Sequence, residues 1–311
     1  VYNSVMEFAN VWQENVYFAQ VRVAERGDSS AITQLLRRTP YMHIHADWRL
    51  PAEWLGSPGF LVLPERDYDD GNGRYPTNKF LMPKTGLLGC LAATADSSPA
   101  AWVRVAAVGE SRDMLAAMVA RVAVYLQETA VTELCWLATR AWPDTWLPEL
   151  GFFQANAIET YLKDDVWLPE GTAVPHLKIR PAEQTDMAVL EKIETAAFEP
   201  MWRHSAETFA LASRQALCFD VAEMNGEIVA FQLSTRTESG AHLVRLTVDP
   251  QVQRQGIGSA VLAHAIRTYH HHGLRQVSLN TQLDNISSQF LYRKFGFHAT
   301  GQRFPVWLLA L

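Results

Sequence analysis

The sequence predicts an α/β (α+β) chain of two similar domains in tandem, each a mixed, mostly antiparallel sheet flanked by helices, and three observations predict it. The chain has 311 residues, about twice what one core of this class needs. A strand, a glycine loop and a helix start follow one another in HLVRLTVDPQVQRQGIGSAVL at 242–262. The first half repeats landmarks of the second: Ala101-Trp102-Val103-Arg104-Val105 matches His242-Leu243-Val244-Arg245-Leu246, Tyr125 matches Tyr269, and Gly151-Phe152 matches Gly296-Phe297. Val103 and Val244 lie 141 residues apart, the tyrosines 144 and the glycines 145. Internal similarity at a fixed spacing marks a duplicated fold.

The elements follow in order. Residues 1–19 are an N-terminal extension, with Val5, Phe8, Trp12 and Val16 at helical spacing. The first domain spans 20–165, with a strand at 20–24 and a helix from Ser29 to Arg38. Its long polar loop from Glu65 to Lys84 contains Asp67-Tyr68-Asp69-Asp70-Gly71-Asn72, which lacks the rest of a calcium ligand set and reads as a solvated hairpin tip. Where the second half has its glycine loop, the first has Val108-Gly109-Glu110-Ser111-Arg112-Asp113, whose acids repel an anion. Pro143 and Pro148 keep Trp142–Pro148 from being a long helix. A linker at 166–176, with Pro169, Gly171 and Pro175, leads to a second domain at 177–311. That domain holds a strand at 177–180, a helix from Glu183 to Phe198, a hairpin of Cys218–Met224 and Glu227–Arg236 across Asn225-Gly226, a helix at 258–272 and a strand at 275–282.

The glycine loop carries chemistry. Asp249-Pro250 ends the strand, and Gln253-Arg254-Gln255-Gly256-Ile257-Gly258 follows at once. Glycines there let phosphate oxygens approach the main chain, and the helix starting near Ile257 adds its positive dipole end, so a pyrophosphate fits. With Gln253, Gly256 and Gly258 the run resembles the acetyl-CoA signature of the GNAT acyltransferase superfamily. Asn285-Ile286-Ser287-Ser288-Gln289-Phe290-Leu291-Tyr292-Arg293-Lys294-Phe295-Gly296-Phe297 resembles the family's next helix, at the usual distance downstream. The resemblance covers 177–311, and the internal repeat then makes 20–165 a similar domain without a cofactor loop.

The resemblance implies an acetyl-CoA-dependent N-acetyltransferase in which an amine attacks the thioester directly. The cosubstrate is then held by Leu246, Val248, Gln253, Arg254, Gln255, Gly256, Ile257, Gly258, Ser259, Asn285, Ser288 and Tyr292. The backbone N–H of Val248 stabilises the thioester oxygen. Tyr292 protonates the departing thiolate, or else only packs its helix on the sheet; Asn285 caps that helix and can also bond the cosubstrate. His242, six residues before Val248 and on the same face by the period-two rule, accepts the amine proton or is a strand-end histidine facing solvent. Glu199 and His204 are fallback bases, while Met201 and Trp202 shape the acceptor pocket. Asn280 and Thr281 stand where protein-N-terminal acetyltransferases of this fold often carry a glutamate.

Composition sets bounds. Hydrophobic residues are 48%, charged residues 19% and net charge −6, which suits a soluble chain with no nucleic-acid or membrane partner and an amine-bearing small-molecule acceptor. Cys90, Cys135 and Cys218 have no metal-like spacing and read as reduced core residues of a cytoplasmic protein. His270-His271-His272 reads as a helix C-terminus, because neighbouring helical positions point about 100° apart; no metal is expected. The alternatives to a small-molecule acetyltransferase are a protein N-acetyltransferase and a regulatory module that binds acetyl-CoA without turnover.

Overall fold

The computed structural model describes residues 15–45, 48–49, 51–65, 86–97, 99–170 and 172–311. Most of the expected N-terminal helix and the calcium-like run at 67–72 lie outside the described residues. The chain divides into two compact units, residues 1–153 with Trp307–Leu311, and residues 154–306.

The first unit contains β1 (Arg22–Val23), α1 (Ser29–Arg38), β2 (Tyr41–Ile44), β3 (Phe60–Pro64), β4 (Leu87–Ser97), β5 (Ala100–Val108), α2 (Arg112–Gln127), β6 (Glu133–Leu137) and α3 (Trp142–Trp146). Its strands run in the order β1-β3-β4-β5-β6. Pairing is antiparallel except that β5 and β6 run parallel over Ala100–Trp102. α2 buries Leu115, Met118, Val119 and Val122 against Leu91, Val103 and Trp136. Each such side chain contributes about 1.5–3 kcal/mol on burial. Beyond Trp102, where β5 and β6 separate, β2 takes the place beside β5, with Tyr41–Ile44 antiparallel to Val105–Val108. Pro143 opens α3, which lasts only five residues, as its prolines require.

The second unit contains β7 (Phe153–Lys163, from Gln154 on), β8 (Leu177–Pro181), α4 (Met187–Ala197), α5 (Ala206–Ala212), β9 (Cys218–Met224), β10 (Glu227–Arg236), β11 (Ala241–Val248), α6 (Ile257–His271), β12 (Val277–Gln282), α7 (Ile286–Lys294) and β13 (His298–Ala310, up to Val306). Its strand order is β13-β7-β12-β11-β10-β9-β8. β11 and β12 are parallel; β8 with β9, β9 with β10, β10 with β11, and β7 with β12 are antiparallel. Leu262, Ile266 and Tyr269 of α6 pack on Leu243, Val277 and Leu279, joined by Tyr161, Phe295 and Phe297. Asn225 and Gly226, at φ 56° and 87°, make the expected β9–β10 turn.

The compact units do not divide at the expected linker. Residues 154–176 all lie in the second unit, where Val277–Gln282 of β12 pair with Ile158–Lys163 of β7. The final residues return to the first, where Leu309 joins the core and Trp307 Nε1 donates to Asp144 Oδ1 at 2.8 Å. Each unit therefore includes a strand taken from the end of the other half of the sequence. Among the described residues no helix is long and apolar enough to cross a membrane.

Candidate active site

The parallel register of β11 and β12 runs only from Ala241 to Leu243. Beyond it the two strands separate, and among the described residues no strand lies on the β12 side of β11. Opposite Leu233 and Ser234 of β10 stand Arg245 and Leu243, so Val244 is an extra residue and β11 bulges there. A cavity of about 630 Å³ begins at this separation, lined by Ala197, Phe198, Leu246, Thr247, Val248, Gln253, Arg254, Gly256, Gly258, Ser259, Asn285, Ser287, Ser288 and Leu291.

The loop under it is shaped by its sequence. Asp249 Oδ1 accepts from Gln251 N at 2.9 Å and Gln253 Nε2 donates to the Val248 carbonyl at 3.1 Å. Arg254 and Gly256 both have positive φ, 63° and 85°, and α6 begins at the next residue. That alternation turns successive N–H groups inward at a helix N-terminus, an anion-binding arrangement. A side chain at 256 would be strained by the backbone angle itself. Across the cavity, Asn285 caps α7 by accepting from Ser288 N at 3.1 Å. The loop, the unfilled strand edge and the α7 start fit a pyrophosphate followed by an extended thioester arm.

Nine of the residues expected to hold the cosubstrate line this cavity: Leu246, Val248, Gln253, Arg254, Gly256, Gly258, Ser259, Asn285 and Ser288. Gln255 is exposed on the loop, and Ile257 is 1% exposed, its side chain packed with Ala230 and Val261. Tyr292 is buried beside the cavity, with ring centroids 5.8 Å from Phe297 and 6.4 Å from Tyr161. Burial pushes its hydroxyl up to about 12, against the opposing pull of the Arg245 charge and of Ser288. Its hydroxyl is protonated at neutral pH.

His242 departs from the sequence expectation. Ala241 and Leu243 pack on the α6 side of the sheet, and so do Leu246 and Val248; the even positions take over from the odd ones because Val244 is bulged. His242 therefore faces away from Val248, correcting the period-two count. Its Nδ1 lies 2.9 Å from Ser278 Oγ, and burial lowers its pKa, keeping the ring neutral. No hydrogen bond joins it to Tyr292. Asn280 Oδ1 accepts from Thr160 Oγ1 at 2.9 Å. Glu199 leads into the turn at 200–202, and His204 Nδ1 lies 3.2 Å from Glu194 Oε1.

Sequence reasoning passed over a buried polar cluster on the α4 face of β11. Glu194, 0% exposed, accepts from Arg245 Nη2 and, at 3.1 Å, from Thr247 Oγ1. Burial opposes the ionised carboxylate, but Arg245 and His204 outweigh it and hold Glu194 below its ordinary value. The available signal was a lone arginine inside the apolar strand 243–248.

Known proteins resemble the chain in the same regions. The model of the acetyltransferase (GNAT) family matches residues 185–297. A ribosomal-protein bS18 alanine N-acetyltransferase of Escherichia coli is 31% identical over 116 residues, 37% of this chain and 77% of that protein. A GCN5-related N-acetyltransferase of Sphaerobacter thermophilus superposes with a TM-score of 0.58 at 15% identity, covering 93% of this chain and 95% of that one. A tandem GNAT protein from the clavulanic acid biosynthesis pathway gives 0.58 at 15% identity, covering 93% and 98%. These two share the fold across both halves. The splayed strands, the glycine loop and these similarities together show that the chain belongs to the GNAT acetyltransferase family, with the family's match in its second half.

Proposed function

We propose that the second unit transfers an acetyl group from acetyl-CoA to the primary amine of a small molecule. The observation that carries this reading is the convergence of the Arg254–Gly258 loop, the unfilled edge of β11 and the start of α7 on one cavity. Bound there, acetyl-CoA supplies an activated thioester. The loop N–H groups hold its pyrophosphate, and the Val248 N–H donates to the thioester oxygen. His242, neutral through burial, takes the amine proton through water from the opposite sheet face. Tyr292, protonated at neutral pH, donates to the leaving sulfur.

The neutral Asn280–Thr160 pair supports a small molecule over a peptide N-terminus, since the family resemblance implies a glutamate at this place in many protein-N-terminal acetyltransferases. A protein acceptor is the second reading, favoured by the Escherichia coli relative. Thiol release from acetyl-CoA, measured against a panel of primary amines and of peptides with free N-termini, separates the two. Turnover with amines alone supports the first, and turnover with peptides alone overturns it. Tight acetyl-CoA binding with no thiol release on either panel would make the chain a sensor.

A further inference from the structure

Behind the Phe198 side of the cavity, the Glu194 cluster ties a loop to the sheet. The Arg245 guanidinium carbon lies 3.7 Å from the Phe198 ring centroid, and Nη2 donates to the Trp202 carbonyl at 2.5 Å as well as to Glu194. One guanidinium thus holds the 198–202 segment at both ends, and Arg203 Nε closes it by donating to the Phe198 carbonyl at 2.7 Å. Glu194 binds β11 again through Thr247 Oγ1 and binds the loop again through His204. Phe198 and Thr247 both line the cavity. Two buried charges add little net stability, because desolvation offsets most of their attraction. Apolar side chains would join α4 to β11 as well, so what the cluster adds is a fixed direction and register for the loop.

We propose that Glu194 is a positioning residue for the acceptor: through Arg245 and Thr247 it fixes the Phe198–His204 segment on β11, on the face of the sheet away from the glycine loop. This rests on the reading that the cavity holds acetyl-CoA. Amide hydrogen exchange on the full chain compares the wild type with Glu194→Gln and Thr247→Val. Amides of 199–205 are expected to exchange about tenfold faster in both variants, with α6 and the β9–β10 hairpin unchanged. For any primary amine that the wild type acetylates, Glu194→Gln is expected to raise the acceptor KM about tenfold while the acetyl-CoA KM stays within about threefold. Unchanged exchange at 199–205 in both variants overturns the proposal. Acceleration spread over the whole second unit also overturns it, because the cluster is then part of the fold and not a clamp. Thr247→Val keeps both charges and decides the matter if Glu194→Gln does not fold. If calorimetry shows that the wild type binds no acetyl-CoA, the reading of the cavity fails, while the exchange result still judges the clamp.

Discussion

The two units share a splayed strand pair and treat it differently. β5 and β6 run together over Ala100–Trp102, β11 and β12 over Ala241–Leu243, and β5 and β11 each bulge just beyond, at Arg104 and Val244. In the second unit the next stretch of β11 borders the cavity. In the first, β2 lies there instead. Trp142 Nε1 donates to the Met42 carbonyl at 2.9 Å, and Thr39 Oγ1 donates to Val108 O. His43, fully buried, sets its Nε2 3.3 Å from Val103 O, and burial pushes its pKa to about 4, so no charge is trapped. A binding groove of this kind is an unfilled sheet edge. A chain can close it with its own strand, which makes the loss of the glycine loop in the first unit one part of a larger change.

The largest expected effect tests whether the units are separable. A fragment of residues 172–311 lacks β7, whose Tyr161 is 0% exposed in the second core. It is expected to show no cooperative thermal transition by circular dichroism, and a soluble, fully active fragment would show independent domains. Next comes Gly256→Glu in the full chain. It puts a side chain at φ 85° and a negative charge where the pyrophosphate lies, so acetyl-CoA affinity should fall by at least about 100-fold in calorimetry. Residual binding at wild-type affinity would point to a second site in the first unit.

Smaller effects separate the catalytic roles. Tyr292→Phe is expected to lower kcat about 100-fold with acetyl-CoA affinity nearly intact, a typical share for one acid. A loss of affinity instead would make Tyr292 a packing residue. His242→Gln is expected to change the pH profile more than the maximum, by about tenfold at most. Burial lowers the His242 pKa, so the neutral, proton-accepting form persists below the ordinary imidazole value of about 6.5, and turnover falls only as pH drops through that lower value. That acidic limb should vanish in the variant. If it stays, the base is Glu199, His204 or a water.

Legibility in the sequence followed the range of each interaction. The helix Ser29–Arg38, the Asn225-Gly226 hairpin and the loop around Gly256 were readable because propensity, turn chemistry and glycine freedom are local. The bulge at Val244 has no local mark, and one extra residue there inverted the face expected for His242. β2, and the assignment of β7 and Trp307–Leu311 to units, depend on partners far along the chain. The Glu194 cluster was hidden for the same reason, since Arg245 and Glu194 lie in different elements and read separately as ordinary charges.

Among the described residues, the splayed strand pair left open is that of the second unit, along β11. Amide hydrogen exchange with and without acetyl-CoA tests it most directly. The account predicts new protection at Leu246, Val248 and 254–260 on addition, with 105–108 already protected by β2 and unaltered. New protection at 103–113, or slow exchange at Leu246 and Val248, whose amides face the open edge of β11, before any acetyl-CoA is added, would contradict it.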